Sequence, residues 1–463
     1  MTQIAYFRER VFVLLAIFLL FFKPAPGVLL GSNSIIGFTL MTLLAAFLIL
    51  IYLNKAYVFS NPLHLLRTNW KNDIIFIYLL LTCVSFTVST ITGIIVVPEK
   101  TKLFDFLEIY RYIFYITFYL LAKNIQNPAL KAYVKPVIIM VLTVEVIGIM
   151  QFYNLLNINE SLGLIYTMSE RHYKMIVYQH RVPSTFLNPN MYGSFLIIVA
   201  ALFLSFISFI NTKKRYTKIS IYFLLLLTFF SVLLTTSRTA VITVGGMIVY
   251  WLLLNLLFLP NKKRTLIQGL AILFAYGTIS YMMVQEINYL NYAAKQIYST
   301  YNAEKQKEGN NDGLGSEKDF NDTSSSLESA KQSLESVSSF KNRYDYWRVN
   351  YEEFLKSPIV GHGPMRSNFV SFADNSYLYI LARYGIIGLL LFIGFYLFTY
   401  FKSFFTLKRE SHHPSKAAIA MTINLVLVGY LVMGMVAEVW FNLQSMAFLF
   451  VLIGLLMNKK LAN

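Results

Sequence analysis

Arg181, Arg238, Arg343, Arg348 and Asp374 each stand in or beside an apolar run of a 463-residue chain. Guanidinium groups hold phosphate oxygens through paired, forked donors, so several of them converging on one place make a site for a polyanion such as a pyrophosphate. A carboxylate beside that site takes a proton from an attacking hydroxyl. These residue types fit transfer of a group from a lipid-linked pyrophosphate donor, on condition that the fold brings them together.

The elements that must position them are membrane helices. The sequence is 56% hydrophobic and only 14% charged, with a mean hydropathy of +0.55, more apolar than a soluble core can hide. Runs of roughly 20 apolar residues, the length of a spanning helix, recur along nearly the whole chain. We expect an all-α polytopic membrane protein with about twelve spans, near 11–23, 28–52, 73–97, 104–122, 136–153, 191–210, 219–236, 240–259, 265–284, 376–401, 417–437 and 439–458. Seven segments then share one side: the N-terminal end, 53–72, 123–135, 211–218, 261–264, 402–416 and the C-terminal end. They hold 21 of the 40 Lys and Arg residues in short stretches, which assigns them to the cytoplasm.

Both termini are therefore expected inside, and two long excursions, 154–190 and 286–372, outside. Residues 1–284 carry nine spans and the outer loop near 154–190, residues 285–375 form a large extracytoplasmic loop between spans nine and ten, and residues 376–463 carry three spans and a cytoplasmic tail. Within the large loop, 303–340 is a polar, Ser-rich insert, and 341–357 spaces Tyr344, Trp347, Tyr351 and Phe354 as one face of an amphipathic helix on the membrane surface. The first apolar run follows Arg8 and Arg10 as a signal-peptide core would, but a second span follows directly without a small-residue cleavage site, so it reads as a retained helix.

A net charge of +17 does not imply nucleic acid here, because the basic residues are scattered through short loops without a recognition motif. The single cysteine, Cys83, permits no disulfide within the chain. There is no glycine-rich phosphate loop, no HExxH and no pair of acids at ligand spacing, and His412 and His413 lie in a basic cytoplasmic loop. No metal or cofactor is expected; a cluster of positive charge can stabilise a departing pyrophosphate by the same electrostatics.

On this topology the five opening residues all reach the outer face. Arg181 lies in "HRVPSTFLNPNMYGSF", where Pro183, Asn188, Pro189 and Asn190 forbid a regular helix. Such backbone beside lipid must be buried in protein or line a wet cavity; the other reading is a re-entrant turn that binds lipid headgroups. His180 is either a surface residue or a second base. Arg238 occupies a tight turn, "TTSRTA", without an acid nearby, and needs an anionic partner from the fold or from substrate. Arg111 has Glu108 three residues before it, so it makes either an intrahelical ion pair or a phosphate contact. Arg343 and Arg348, five apart, do not share a helix face, so one points inward and the other to headgroups. Glu438 in "GMVAEVWFN" and His362 in "GHGP" are further candidates. In "SFADNSYLYILARYGIIG", Asp374 or Asn375 can also act simply as a helix N-cap, and Gly385 and Gly388 read as close helix packing.

Four pieces in order resemble the bacterial O-antigen ligase and Wzy-type polysaccharide polymerase superfamily: "RVPSTFLNPNMYGSF", "TSRTA", "RYDYWRVNYEEFLKSPIVGHG" and "DNSYLYILARYGIIGLLLF". The resemblance covers residues 70–458. It implies a helical membrane glycosyltransferase of GT-C-like architecture that takes a glycan from an undecaprenyl-diphosphate carrier and passes it, with inversion, to a hydroxyl acceptor without a metal. Carried over by position, it makes Arg181, Arg238 and Arg343 the pyrophosphate ligands and places the catalytic base at Asp374; Arg111, from the reading of its own segment, is a further candidate ligand. Asn375, Arg348, His180 and Glu438 remain secondary candidates. Lipopolysaccharide ligases have histidine before that Asn and many polymerases have aspartate, so Asp374 favours a repeat-unit polymerase acting in O-antigen, capsule or exopolysaccharide synthesis. The implied partners are lipid-linked oligosaccharide donor and acceptor, membrane lipids, a chain-length regulator and a flippase, in a bacterial cytoplasmic membrane with the site facing outward. A ligase that moves finished polymer is the nearest alternative, and a flippase or transporter the alternative of another class.

Overall fold

The computed structural model describes residues 3–31, 42–43, 45–46, 49, 73–126, 131–167, 169–179, 181–209, 214–286, 338–365, 373–410 and 413–462. Every regular element among them is a helix. α1 (Gln3–Phe21) and the single turn α2 (Gly27–Leu30) precede α3 (Ile74–Val96), and a 3-10 turn at Leu103–Glu108 leads into α4 (Ile109–Lys123) and α5 (Lys131–Phe152). Short helices α6 (Ile158–Tyr166) and α7 (Glu170–Gln179) are followed by α8 (Pro189–Phe209), α9 (Arg215–Leu234), α10 (Arg238–Phe258) and α11 (Lys262–Glu286). The chain ends in α12 (Ser338–Lys356), α13 (Ser376–Arg409), α14 (Pro414–Gly434), a 3-10 turn at Val439–Phe441 and α15 (Leu443–Met457).

Eight of these helices, α3, α5, α8, α9, α10, α11, α13 and α14, are long and apolar enough to cross a membrane. The protein is a multi-pass membrane protein, and these eight match eight of the expected spans. The remaining four are not among these eight. The run at 11–23 begins within α1, which ends at Phe21 and whose first half carries Arg8, Glu9 and Arg10, and 28–52 lies largely outside the described residues. The runs at 104–122 and 439–458 become two 15-residue helices, α4 and α15, each behind a 3-10 turn. They pack on one another so closely that a Cβ at Gly454 would lie 2.5 Å from the Tyr119 carbonyl oxygen. A helix shielded by protein does not have to match the ~30 Å hydrocarbon slab, which is why these two can be short. α8 and α14 are buried along most of their length, whereas α11 turns side chains such as Phe274, 77% exposed, outward.

α12 begins three residues before the expected helix. Asn350 and Glu353 are buried, Trp347 and Phe354 half-buried, and Tyr344 and Tyr351 exposed, so the aromatic face is split between protein and exterior. The Ser-rich insert lies outside the described residues up to 337.

α13 is broken at Gly385, whose backbone sits in the left-handed half of the map (φ 63°, ψ −164°). A break inside a bundle frees backbone groups that need new partners. The turn after α12 provides them: Ile386 N donates to Pro358 O at 2.8 Å, Ile387 N to Ile359 O at 3.1 Å, and Gly363 N to Arg383 O at 2.8 Å. On its other side the turn is held by Thr101 Oγ1, which donates to His362 O at 2.8 Å. The contact at Gly385 is therefore a splice between backbones, where helix-on-helix packing was expected.

A Cβ at Gly385 would stand 2.3 Å from Ile359 O. Gly385→Ala is expected to cost about 1–3 kcal/mol through that clash and the left-handed backbone, read as a lower unfolding midpoint of the detergent-solubilised protein. Gly246→Ala, where a Cβ meets nothing within 4 Å, should leave the midpoint unchanged.

Candidate functional site

The start of α13 separates two roles that the sequence left open. Asn375 is the N-cap: its Oδ1 accepts from Tyr377 N at 2.9 Å and Leu378 N at 3.1 Å, and its Nδ2 donates to Met435 O at 3.0 Å. Such a cap stabilises a helix by about 1 kcal/mol, because the first amides lack partners within the helix. Asp374, relieved of capping, holds a left-handed backbone (φ 45°) and directs its carboxylate at α12, where Arg343 Nε stands 3.7 Å from Oδ2. Both side chains remain partly open, 28% and 42% exposed. Arg348 points elsewhere: it is 61% exposed and faces Asp345 and Glu352 of its own helix at 3.8 and 4.0 Å.

Arg181 reaches a second place, the turn just before Arg238. The loop from 181 to 188 is non-helical, as its prolines require, and its polar groups are satisfied by protein: Ser184 N donates to Gln151 Oε1 at 2.8 Å and Thr185 Oγ1 to Phe21 O at 2.7 Å. Arg181 Nε donates to Thr236 Oγ1 at 3.2 Å, in the tight turn that ends where Arg238 opens α10. His180 lies outside the described residues. The start of α8 links this turn to the first place: a Cβ at Gly193 would touch Ala240 Cβ at 3.0 Å, and Asn442 Nδ2 donates to Met191 O at 3.1 Å and Ser194 Oγ at 2.6 Å. Asn442 closes the turn that carries Glu438, and Glu438 Oε1 accepts from Ala373 N at 2.5 Å. The two arginine groups thus share one end of the bundle.

Residues 223–393 match the family model Wzy_C, described as O-antigen ligase. This match supports the O-antigen ligase and Wzy-type superfamily. The matched segment contains Arg238, Arg343, Arg348, Asp374 and Asn375, whereas Arg181, Arg111 and Glu438 come from outside it. No curated protein matches the chain.

Beneath Asp374 lies a charged layer that sequence reasoning found only in part. Arg111 pairs with Glu108 at 3.2 Å, the intrahelical pair that their spacing allowed, and its guanidinium carbon lies 5.8 Å from the centre of the Phe441 ring. Phe441 packs tilted against Tyr379 with ring centres 4.2 Å apart, and Tyr379 lies 3.6 Å under the guanidinium of Arg383. Arg383, in the middle of "LYILARYGIIG", is 1% exposed and was missed because it sat inside a run read for its apolar residues. A lone arginine within a spanning helix is by itself a functional signal, and its place four residues after Tyr379 puts it over that ring. The enclosed setting of Glu438 pushes its carboxyl above the ordinary range; Arg383, the Ala373 amide and Arg111 pull the other way, and Asp374 adds to the rise. Among the described residues no group of three His, Cys, Asp or Glu side chains is placed to hold a metal ion.

A second ionic group ties α12 to the turn after α3. Glu353 accepts from Lys100 at 2.5 Å and Lys356 at 2.7 Å, with the buried His362 Nδ1 at 4.0 Å from its other oxygen. Burial alone would raise the Glu353 carboxyl, but the two lysines outweigh it and hold it below the ordinary 4.5, while burial lowers His362 from 6.5. In both cases the unfolded chain binds protons more readily. The stabilisation is complete above 6.5 for His362 and above 4.5 for Glu353, and is lost as the pH falls from there through their lowered folded values. The unfolding midpoint should accordingly drop between neutral and acid pH, and the double variant Glu353→Gln, His362→Gln should show a flatter profile over the same range.

Proposed function

We propose that the protein polymerises oligosaccharide repeat units carried on undecaprenyl diphosphate, by metal-independent inverting glycosyl transfer at the outer face of a bacterial cytoplasmic membrane. The observation that carries the reading is the facing of Arg343 and Asp374 at 3.7 Å, at an open helix start where Asn375 has taken over capping. The superfamily match over 223–393 supports the class of reaction. A repeat unit's hydroxyl attacks the anomeric carbon of the glycan; its proton passes to Asp374 as the bond from that carbon to the diphosphate oxygen breaks. The electron pair leaves on the diphosphate, whose growing charge Arg343, Arg181 and Arg238 stabilise through forked donors. Arg111, tied to Glu108, supplies positive charge from below. An apolar cavity walled by Tyr112, Tyr384, Trp440 and Phe441 adjoins the charged layer and suits hydrocarbon next to a polar headgroup.

The match to the O-antigen ligase family model favours a second reading, a ligase that hands finished polymer to a different acceptor. The aspartate at position 374 favours a polymerase, and the acceptor in the product separates the two.

Purified protein in liposomes with lipid-linked repeat units should yield a ladder of longer lipid-linked glycans without added metal. Asp374→Asn should lower turnover by about 10²–10⁴ with an unchanged unfolding midpoint; full activity would move the base to another residue. Arg343→Lys and Arg238→Lys should raise the donor concentration needed, because a lysine keeps the charge and loses the fork. Product found only on an acceptor that lacks the lipid carrier would establish the ligase.

A further inference from the structure

We infer that Arg383 is a positioning residue, one that sets both halves of the Arg343/Asp374 pair from beneath. Its Nε donates to Pro364 O at 3.2 Å and an Nη to Asn350 Oδ1 at 3.4 Å. Asn350 stands seven residues after Arg343 on α12, two helical turns along the same face, so the contact fixes the height and rotation at which Arg343 is presented. The other arm runs through the Glu438 turn: Tyr379, 3.6 Å under the guanidinium, packs on Phe441 at 4.2 Å, and Phe441 N donates to Glu438 O at 3.1 Å. The Glu438 carboxylate accepts the amide of Ala373 and so orients the residue before Asp374, and the Arg383 charge acts on that carboxyl. A buried charge at this depth is costly without partners, and the partners found for it are those on which the pair above depends: α12, the spliced turn and the Glu438 turn.

This rests on the proposed reaction for its consequence and not for its geometry, and the test uses both. In a Cys83→Ser background, spin labels at Tyr344→Cys on α12 and Met435→Cys in the turn before Glu438, both half-exposed positions, report the seat of α12 without any substrate. The parent should give one narrow distance distribution, Arg383→Gln a broadened or lengthened one, and Arg383→Lys a partial recovery. Asn350→Ala, which cuts only the α12 arm, should broaden it as well in a protein that keeps its unfolding midpoint, so a misfolded Arg383→Gln does not leave the matter open. In liposomes with undecaprenyl-diphosphate-linked repeat units, Arg383→Gln should lower kcat at least tenfold with little change in KM, and shift the pH at which activity is half-maximal as Glu438 loses its counter-charge. An unaltered distance distribution in both variants, or an unaltered pH profile in Arg383→Gln, overturns the inference. Should the parent make no longer glycans, the proposed reaction falls and the distances alone decide for or against Arg383.

Discussion

Backbone that leaves the helix inside a membrane bundle must find every hydrogen bond again, and the break in α13 depends on that. Gly385 cannot continue the helix, and the freed amides of Ile386 and Ile387 are taken by the carbonyls of Pro358 and Ile359 while Arg383 O takes Gly363 N. Lipid offers no such partners, so the break exists only with the turn seated in it. Two glycines make the seat possible: Gly361 and Gly385 each face a carbonyl at a distance that admits no side chain. The turn is the direct continuation of α12. Seating it therefore anchors the helix that carries Arg343, and the ionic group of Lys100, Glu353 and Lys356 fastens the same junction from the side of α3.

That anchoring explains why a surface helix of ordinary composition can hold one arginine in register. α12 turns polar residues, Arg343, Asn350 and Glu353, toward the protein and leaves Tyr344 and Tyr351 outside. Burying polar groups costs free energy unless each finds a partner, and each has one: Asp374 for Arg343, Arg383 for Asn350, two lysines for Glu353. The same economy governs the layer below. Arg111 and Arg383 lie on either side of a tilted pair of rings, Phe441 and Tyr379, with Glu108 and Glu438 as the nearby acids. Charge is thus balanced within the bundle, and at the start of α13 Arg343 and Asp374 face one another half-exposed.

Much was legible before any coordinates. Hydropathy alone located the eight long apolar helices, since a period of about 20 apolar residues has few other meanings. The prolines of 183 and 189 announced a non-helical loop that had to be buried, and it is. The spacing of Glu108 and Arg111 announced their pair. What was not legible has tertiary reasons. α4 and α15 are shorter than the eight long helices and pack on one another, which no local pattern reports. Gly385 looked like a packing residue because a glycine in an apolar run is one far more often than it is a backbone break. Arg383 was overlooked because its partners come from α12, from the turn at Pro364 and from Glu438, all distant in sequence.

The sequence by itself determined the class of the molecule, a helical membrane protein with arginines and an Asp-Asn pair in the order of a known superfamily, because hydropathy and short motifs are local properties of the chain. Only the tertiary structure decided which of Asp374 and Asn375 caps the helix, that Arg343 and not Arg348 meets Asp374, and that Arg181 reaches Thr236 in the turn before Arg238. Those outcomes hang on where one helix seats against another, to within a fraction of a helical turn, and the seat is set by contacts between residues tens to hundreds of positions apart.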